Sequence, residues 1–462
     1  MKLKSELNQI KNFIIKITRK KNNLYNHLAF TSKSSCKNKI LILTNVKNNC
    51  IYNYINEAIK KNIRAIVTDN KIDIRKVNKD IPILYSKNLS TNLNMLLDDI
   101  YSFPLQNKIL IGVTGTDGKT STVNYLAQCL SNKLIKKRVG IISSLGNGIY
   151  PSLKSTSYTT PPSHILYDNF KDFDKKKVDI IIIECSSHGL DQGRLNGINF
   201  NTSIFTNITS DHLDYHVTKS EYIKAKLKLM RQTSESIYIN DDCMTLKKIK
   251  KRRNVKFIKY HFTEKNQIRL KDKIYPKDLI LKYLCNNYDL SQETLLAILE
   301  KLKPIKGRYT YVSKLNKKII IDSAHTPASF KNILKYIRSV EEFKKKSLKL
   351  ITVFGCGGER DKTKRKKMGT IASKYSDHIY LTNDNPRQED PMNIISQIIQ
   401  GIIDKSSVTV TLDRKLAIKK ALSKATKRHL VLISGKGDEK YIEEMSKKVP
   451  HNDIKYVKML LR

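Results

Sequence analysis

Tryptophan is absent from the 462 residues, and glycine (17) and proline (11) are sparse. Lysine, asparagine and isoleucine are abundant in every region instead, a skew that reads as a genome-wide coding bias toward A and T. No uninterrupted apolar run approaches the ~20 residues of a membrane span, which excludes a membrane helix on pattern. The start, MKLKSELNQIKNFIIKITRKK, is basic but has no clean apolar core and no small-residue cleavage site. It reads as mature protein, and the chain is expected in the cytoplasm. The seven cysteines, Cys36, Cys50, Cys129, Cys185, Cys243, Cys285 and Cys356, stand singly without a C-x-x-C pair. That argues against a zinc site or a disulfide framework and fits a reducing compartment.

Negative charge is also short: 42 acidic residues face 87 Lys and Arg, for a formal charge of +45. Such a balance invites a nucleic-acid reading. The lysines are spread over all regions, not gathered into a stripe or arm, so the charge goes with the coding bias and no nucleic-acid partner is expected. A basic, nucleic-acid-binding P-loop NTPase is the alternative from a different functional class. Either way a basic surface draws anionic substrates over long range at low salt.

What is present is a globular composition, 40% hydrophobic, in a chain long enough for several cores. Residues 1–106 read as a small α/β unit, with strand-like NKILILT and IRAIVTD around a helical YINEAIKK. A second unit, 107–304, opens at NKILIGVTG. A third, 305–462, alternates KKIIIDSAH, LKLITVFGCGG, DHIYLTNDNP, SVTVTLD and HLVLISGKGDE with helical PMNIISQIIQGIID and RKLAIKKALSKA. Alternation of this kind predicts an α/β fold with a parallel sheet and helices on both faces. Polar clusters follow the strands: GTDGKT, ECSSHGLD, DSAHTP, GCGGERD, TNDNPR and GKGDE. Open α/β sheets bind ligands at the carboxyl ends of their strands, so two sheets imply two sites facing across a cleft.

The segment GVTGTDGKTST, Gly112–Thr122, is a strand, a glycine-rich loop and a helix start. Its loop, Gly115, Thr116, Asp117, Gly118, Lys119, Thr120 and Ser121, is suited to cradle nucleotide phosphates on backbone N–H groups at a helix N-terminus. Lys119 would reach the β- and γ-phosphates, and the Thr120 hydroxyl would ligate Mg²⁺. Strict spacing for such a loop asks for glycine where Val113 stands. VDIIIIECSSHGLDQGR is a buried strand ending in Glu184, a carboxylate well placed for Mg²⁺. FTNITSDHLDYH adds Asp211, His212, Asp214 and His216. Ser187 beside His188 is no triad, and no G-x-S-x-G elbow occurs, so a serine hydrolase is rejected.

GVTGTDGKTST, TTPP, ECSSHGLDQGR, FTNITSDHLDYH, YIKAK, DSAHTP, FGCGGERDKTKR, DNPR and GKGDE occur in the order seen in the Mur ligases. The chain resembles that family over about residues 109–442. The resemblance implies three domains: a small N-terminal α/β uridine-nucleotide domain, a central P-loop ATPase-like parallel sheet, and a C-terminal Rossmann-like domain bringing the amino acid. It implies ATP and Mg²⁺, and addition of meso-2,6-diaminopimelate to UDP-N-acetylmuramoyl-L-Ala-D-Glu through an acyl phosphate, by a monomer without membrane or nucleic-acid partners. Relatives that add L-lysine or act on folate are the alternatives within the class.

By the same resemblance, Thr159, Thr160, Ser186, Gln192 and Arg194 would hold the UDP-sugar dipeptide, with Ser32 of TSKSS as the nearest uridine candidate. Lys226 of YIKAK matches the lysine that is carbamylated to N6-carboxylysine and helps organise Mg²⁺. Glu184 and His212 match metal contacts, and Arg308, Asp322 and His325 match ATP-side residues. Arg360, Asp384, Asn385, Pro386, Arg387, Gly435 and Glu439 match the amino-acid pocket. Three positions depart from the family: Asp117 where Asn is usual, Ser323 where Tyr is common, and Asp438 where His is usual. Diaminopimelate carries one carboxylate more than lysine, and the planar fork of Arg387 suits it.

Overall fold

A computed structural model describes residues 2–32, 36–44, 46–77, 80–101, 105–209, 211–247, 254–261 and 276–462. Residues 33–35 of the TSKSS stretch and Ser210 of FTNITSDHLDYH lie outside the described residues.

The first unit is a four-stranded parallel sheet, β1 (Leu28–Ala29), β2 (Ile40–Leu43), β3 (Ala65–Thr68) and β4 (Ile83–Tyr85), in sequence order. Helices α1 (Lys2–Thr18), α2 (Ile51–Lys60) and α3 (Leu89–Tyr101) accompany it. All of β2, ILIL, is buried, which is how a strand covered on both faces reads in sequence.

The second unit is an eight-stranded sheet built on β5 (Ile109–Thr114), β6 (Val139–Ser143), β7 (Gly146–Ile149), β8 (Ser152–Lys154), β9 (Ile180–Glu184), β10 (Phe200–Phe205), β11 (Thr233–Asn240) and β12 (Lys256–Tyr260). Its order is β12-β11-β10-β5-β9-β6-β7-β8. Helix α4 (Lys119–Leu130) follows β5, and α5 (Ser163–Lys175) precedes β9. Register places Val113 beside Glu184 and Thr114 beside Phe205, so β5, β9 and β10 end together and their following loops share one edge.

The third unit holds β13 (Thr310–Lys314), β14 (Lys317–Asp322), β15 (Lys349–Phe354), β16 (His378–Leu381), β17 (Val408–Val410) and β18 (His429–Ser434), ordered β13-β14-β18-β15-β16-β17. A hairpin of β19 (Tyr441–Glu444) and β20 (Lys447–Pro450) stands apart. Apolar clusters cover both faces of this sheet. Five of its strands are parallel, but β13 is antiparallel to β14. Regular alternation did not reveal this edge, because it depends on a two-residue turn with Leu315 (φ 52°) and Asn316 (φ 59°) both left-handed, the pairing that twists with a hairpin.

One apolar cluster runs from Ile40 and Val67 of the first unit through Leu96 and Phe170 to Ile181 and Phe200 of the second. Ile305, at the start of the third unit, packs into the core of the second, and beyond it the two units are joined by polar contacts: Thr326 to Asp117, Arg308 to Thr120 and Arg360 to Asp214. A polar interface of that kind permits relative motion of the two units. No described helix is long and apolar enough to cross a membrane.

Two short elements, α6 (Ser187–Asp191) and α7 (Leu213–His216), and the longer α8 (Lys219–Arg231) complete the edge. Single turn α7 is bracketed by left-handed residues, His212 (φ 55°) and Val217 (φ 59°, ψ −51°). Thr218 N–H donates to the His216 carbonyl across Val217, closing a γ-turn that a β-branched residue adopts only under strain. The Val217 side chain is 76% exposed, so little packing offsets that strain. Val217→Gly is therefore expected to raise stability by about 1 kcal/mol, the relief of strain minus the entropy of glycine. Thermal unfolding checks this, and a lower midpoint in the variant would contradict it.

Candidate functional site

The glycine-rich loop after β5 is held from below by the segment after β10. Thr116 N–H donates to the Asn207 carbonyl (2.9 Å) and Asp117 N–H to Asn207 Oδ1 (2.9 Å). Thr206 Oγ1 donates to the Asp117 carbonyl at 2.6 Å. Gly115 has φ 155°, and a Cβ there would lie 1.8 Å from Thr206 Oγ1, so only glycine fits. Lys119 folds over the loop and donates to the Gly115 (3.0 Å) and Thr116 (2.9 Å) carbonyls. Gly118 caps α4, on which Thr120 and Ser121 begin the first turn.

Thr120 Oγ1 donates to Glu184 Oε1 (2.9 Å) and lies 3.0 Å from Ser144 Oγ. Ser144, just after β6, gives both its N–H (3.0 Å) and its hydroxyl (3.1 Å) to Glu184 Oε2. Two hydroxyls and a carboxylate form an oxygen-rich set of the kind Mg²⁺ prefers, with most of its shell left to water and substrate phosphates. Among the described residues no three of His, Cys, Asp or Glu gather into a metal cluster. A cation held here would rely on those hydroxyls and on phosphate oxygens.

Lys226, on α8, is 1% exposed. Its Nζ donates to the Gly115 carbonyl at 2.6 Å and sits 4.6 Å from the Tyr222 ring centre. Two lysines thus converge on one carbonyl. Burial first, and then the Lys119 charge, hold the Lys226 amine well below the ordinary lysine range. His212 lies 3.5 Å from Asp211 and packs edge-on against His188, ring centres 4.8 Å apart. Burial lowers His212 to about 3 against the pull of Asp211, leaving a neutral imidazole whose lone pair can meet a metal. His216 is buried against Tyr222.

Beside this lies a second cluster. Thr160 is buried, and its hydroxyl donates to the Glu184 carbonyl (2.6 Å) and accepts from Ser186 N–H (2.9 Å). Ser186 caps α6, its Oγ accepting from Gly189 N–H at 3.0 Å. Arg194 donates to the Thr160 carbonyl and to Gln192 Oε1. Thr159 adjoins Thr160 in the same loop. Ser32 lies elsewhere: it is fully buried in the first unit and gives its hydroxyl to Glu57 (2.7 Å).

Facing these across the cleft are the strand ends of the third unit. Asp322 accepts from Tyr309 N–H (2.7 Å) and Ala324 N–H (2.8 Å), and burial raises its carboxyl against the opposing charge of Arg308. Arg308 reaches Thr120 Oγ1 at 3.5 Å. His325 Nδ1 lies 2.8 Å from the Ser323 carbonyl. Thr326 Oγ1 donates to Asp117 Oδ2 at 2.9 Å, which turns the extra charge of the loop toward the third unit. Asp438 pairs with Lys306 (3.3 Å) and Lys440 (2.9 Å).

Arg360 pairs with Asp214 of α7 at 3.2 Å. Asp384 is buried, its Oδ2 making no hydrogen bond among the described residues. Gly435, at φ 115°, keeps its backbone against that oxygen, where a Cβ would come within 2.4 Å. Asn385 Oδ1 accepts from Lys436 Nζ (2.9 Å) and Glu443 N–H (2.8 Å), and its Nδ2 donates to Glu439 (3.3 Å). After Pro386, Arg387 is left-handed (φ 54°), its Nε on Glu443 (3.1 Å) and its Nη1 on the Gly358 carbonyl (2.7 Å). Sequence reading missed Ser144, Asn207 and the buried Lys436. Asn207 lies within FTNITSDHLDYH and Lys436 follows Gly435 in GKGDE, motifs already singled out, whereas Ser144 follows a strand, β6, that carried no motif.

A glycine-rich loop with an acid and hydroxyls, a buried lysine beside it, and a second sheet presenting mixed charges toward it suit a nucleotide-dependent ligase. Comparison with known proteins agrees. Residues 113–295 match the family described as Mur ligase middle domain, and residues 307–437 that described as Mur ligase, glutamate ligase domain. The UDP-N-acetylmuramoyl-L-alanyl-D-glutamate–2,6-diaminopimelate ligase of Buchnera aphidicola subsp. Baizongia pistaciae is 35% identical over 448 residues, covering 87% of each chain. A solved structure of a ligase of that same name superposes with a TM-score of 0.59 at 24% identity, over 94% of both chains. The MurF ligase of Thermotoga maritima in complex with ADP gives 0.59 at 17% identity, over 90% of this chain and 95% of that one. The chain belongs to the Mur ligase family.

Proposed function

We infer that this chain joins meso-2,6-diaminopimelate to the D-glutamate γ-carboxyl of UDP-N-acetylmuramoyl-L-alanyl-D-glutamate with ATP, a step of peptidoglycan precursor synthesis. The observation that carries this is the relative of that name, 35% identical over 87% of the chain. A carboxylate is a poor electrophile. ATP converts it to an acyl phosphate, the amine attacks, and phosphate leaves from a tetrahedral intermediate.

The first step brings a carboxylate against a phosphate. Two unit charges 4 Å apart repel by ~1 kcal/mol in water and ~4 at an effective dielectric of 20. Lys119 offsets this by moving its ammonium from the loop carbonyls to the β- and γ-phosphates. Thr120, Ser144, Glu184 and His212 are the groups that would hold Mg²⁺, which when bound neutralises phosphate charge. Burial and the Lys119 charge both disfavour a second ammonium at the Gly115 carbonyl, and the uncharged amine is the form that reacts with CO₂, so Lys226 is suited to carbamylation.

Thr159, Thr160, Ser186, Gln192 and Arg194 are read as the dipeptide site. Arg360, Asp384, Asn385, Pro386, Arg387, Gly435 and Glu439 are read as the amino-acid site, and Arg308, Asp322 and His325 as the nucleotide side of the third domain. Closure of the cleft, in the direction of the Thr326–Asp117 and Arg360–Asp214 contacts, excludes water that would hydrolyse the acyl phosphate. The same reading makes the enzyme a cytoplasmic monomer that uses ATP and Mg²⁺ and has neither a membrane nor a nucleic-acid partner.

Arg387→Ala is expected to lose diaminopimelate turnover by ~10²-fold or more with ATP affinity retained, because the hydrogen-bonded ion pair proposed between the guanidinium and the substrate's distal carboxylate is lost. Arg387→Lys, which keeps the charge but not the fork, should fall between. Phosphate release by the wild type with diaminopimelate, L-lysine, DNA or RNA as the added component tests the whole reading. A preference for L-lysine, or stimulation by nucleic acid alone, would overturn it.

A further inference from the structure

The proposed amino-acid pocket is built from two loops that the sheet does not join. Asp384–Arg387 follows β16 and Gly435–Glu439 follows β18, and β15 lies between those strands. Asn385 meets Lys436 and Glu439 where the loops face each other, and at the strand ends beneath them a second side chain, Arg414, spans the gap. Arg414 Nη1 donates to the Asn383 carbonyl (3.3 Å) and Nη2 to the Ser434 carbonyl (3.0 Å). These are the residues immediately before Asp384 and Gly435.

Arg414 is itself fixed. Its Nε and Nη2 fork onto the Asp453 carboxylate at 2.9 and 2.8 Å, and both side chains are wholly buried. His451 Nε2 lies 2.7 Å from the same Asp453 oxygen. The next residue, Asn452, donates to Asp438 Oδ1 and to the Glu439 carbonyl, each at 2.9 Å, so the C-terminal segment also grips the Gly435–Glu439 loop. Beyond Asp453, the charges nearest in effect to Arg414 are Asp384 and Glu439, both pocket residues.

Local rules do not ask for this arginine. It opens helix Arg414–Lys424, whose first turn holds no acidic residue, and a cation at a helix N-terminus opposes the helix dipole. A position that breaks a local preference and satisfies a long-range network is a common mark of a functional constraint.

We propose that Arg414, set by Asp453 and His451, is a positioning residue that fixes the spacing of the two amino-acid loops and thereby the affinity for the incoming amino acid. This rests on the reading of those loops as the amino-acid site. Lysine cannot replace it, because one ammonium cannot reach two carbonyls and a bidentate carboxylate together.

The test is steady-state kinetics on the full-length enzyme with ATP, Mg²⁺, UDP-dipeptide and diaminopimelate, for Arg414→Lys, His451→Gln and Asn385→Ala. Acyl-phosphate formation is read separately, as ADP–ATP exchange without amino acid. Arg414→Lys is expected to raise the KM for diaminopimelate by ~10-fold or more, as a small misplacement of binding groups does. The KM for ATP and the exchange rate should stay at wild-type values. His451→Gln should move the same KM by less, and it carries the test if Arg414→Lys does not fold. A lower melting temperature with unchanged diaminopimelate KM, or equal loss in all substrates, makes the network merely structural and overturns the proposal. A raised KM in Asn385→Ala beside a flat one in Arg414→Lys sinks the brace alone, and flat values in both sink the pocket assignment.

Discussion

Lys119→Ala abolishes ligase turnover, by ~10²–10³-fold or to the limit of a phosphate-release assay, in a protein that remains folded. The size follows from charge. Acyl-phosphate formation places a carboxylate beside the γ-phosphate, and removing one preorganised donor to such a centre costs that much in other enzymes. The fold survives because Lys119 packs against little; its ammonium donates to the Gly115 and Thr116 carbonyls at the rim of the loop. Losing two partly exposed hydrogen bonds costs ~1 kcal/mol each at most. The thermal midpoint should therefore move little while product formation vanishes. Wild-type turnover in a folded Lys119→Ala enzyme would remove the phosphate-loop assignment, and with it the mechanism.

Lys226→Ala should lose roughly 10²-fold in turnover, the range seen when a group organising a metal site is removed. Its signature is the separation of activity from stability. The Lys226 amine is held well below its ordinary value by burial and by Lys119. In the unfolded chain it titrates near ~10.4. Between the folded and unfolded values the unfolded chain binds the extra proton, so the unmodified lysine increasingly disfavours folding as pH falls through that window. Lys226→Met removes this burden and keeps the aliphatic stem. It should be at least as stable as wild type at neutral pH, yet inactive. Short carboxylic acids such as acetate, entering the space vacated in Lys226→Ala, should restore part of the activity by replacing the carbamate oxygens. Wild-type rates in either variant, or wild-type activity indifferent to removal of CO₂ and bicarbonate, would rule out the carbamate.

The α/β class, the strand–glycine loop–helix turn at Gly115–Thr120 and the acid at the end of β9 were legible because each is encoded in a few consecutive residues. IIIIE is a short β-branched run that reads as a buried strand with a carboxylate at its tip, and glycines before Lys119 mark a tight turn. The antiparallel edge strand β13 was not legible, because it turns on the left-handed conformations of Leu315 and Asn316. The strain at Val217 was equally hidden, since valine carries no turn signal.

By itself, then, the sequence determined the order of strands, loops and helices, the family, and the chemical types on the strand ends, because periodicity and turn chemistry act over a handful of neighbouring residues. Only the tertiary structure decided which of those groups meet and in what state. Ser144 becomes a partner of Glu184 because β6 and β9 are adjacent strands. The Lys226 amine is held well below the ordinary lysine range because folding takes it out of water and sets Lys119 beside it. Asp117 faces Thr326, and Arg360 faces Asp214, because two separate sheets turn their carboxyl edges toward each other. Arg414 spans loops that no local pattern connects. Desolvation and Coulomb energy depend on distance through space and on dielectric, and neither quantity is a function of separation along the chain.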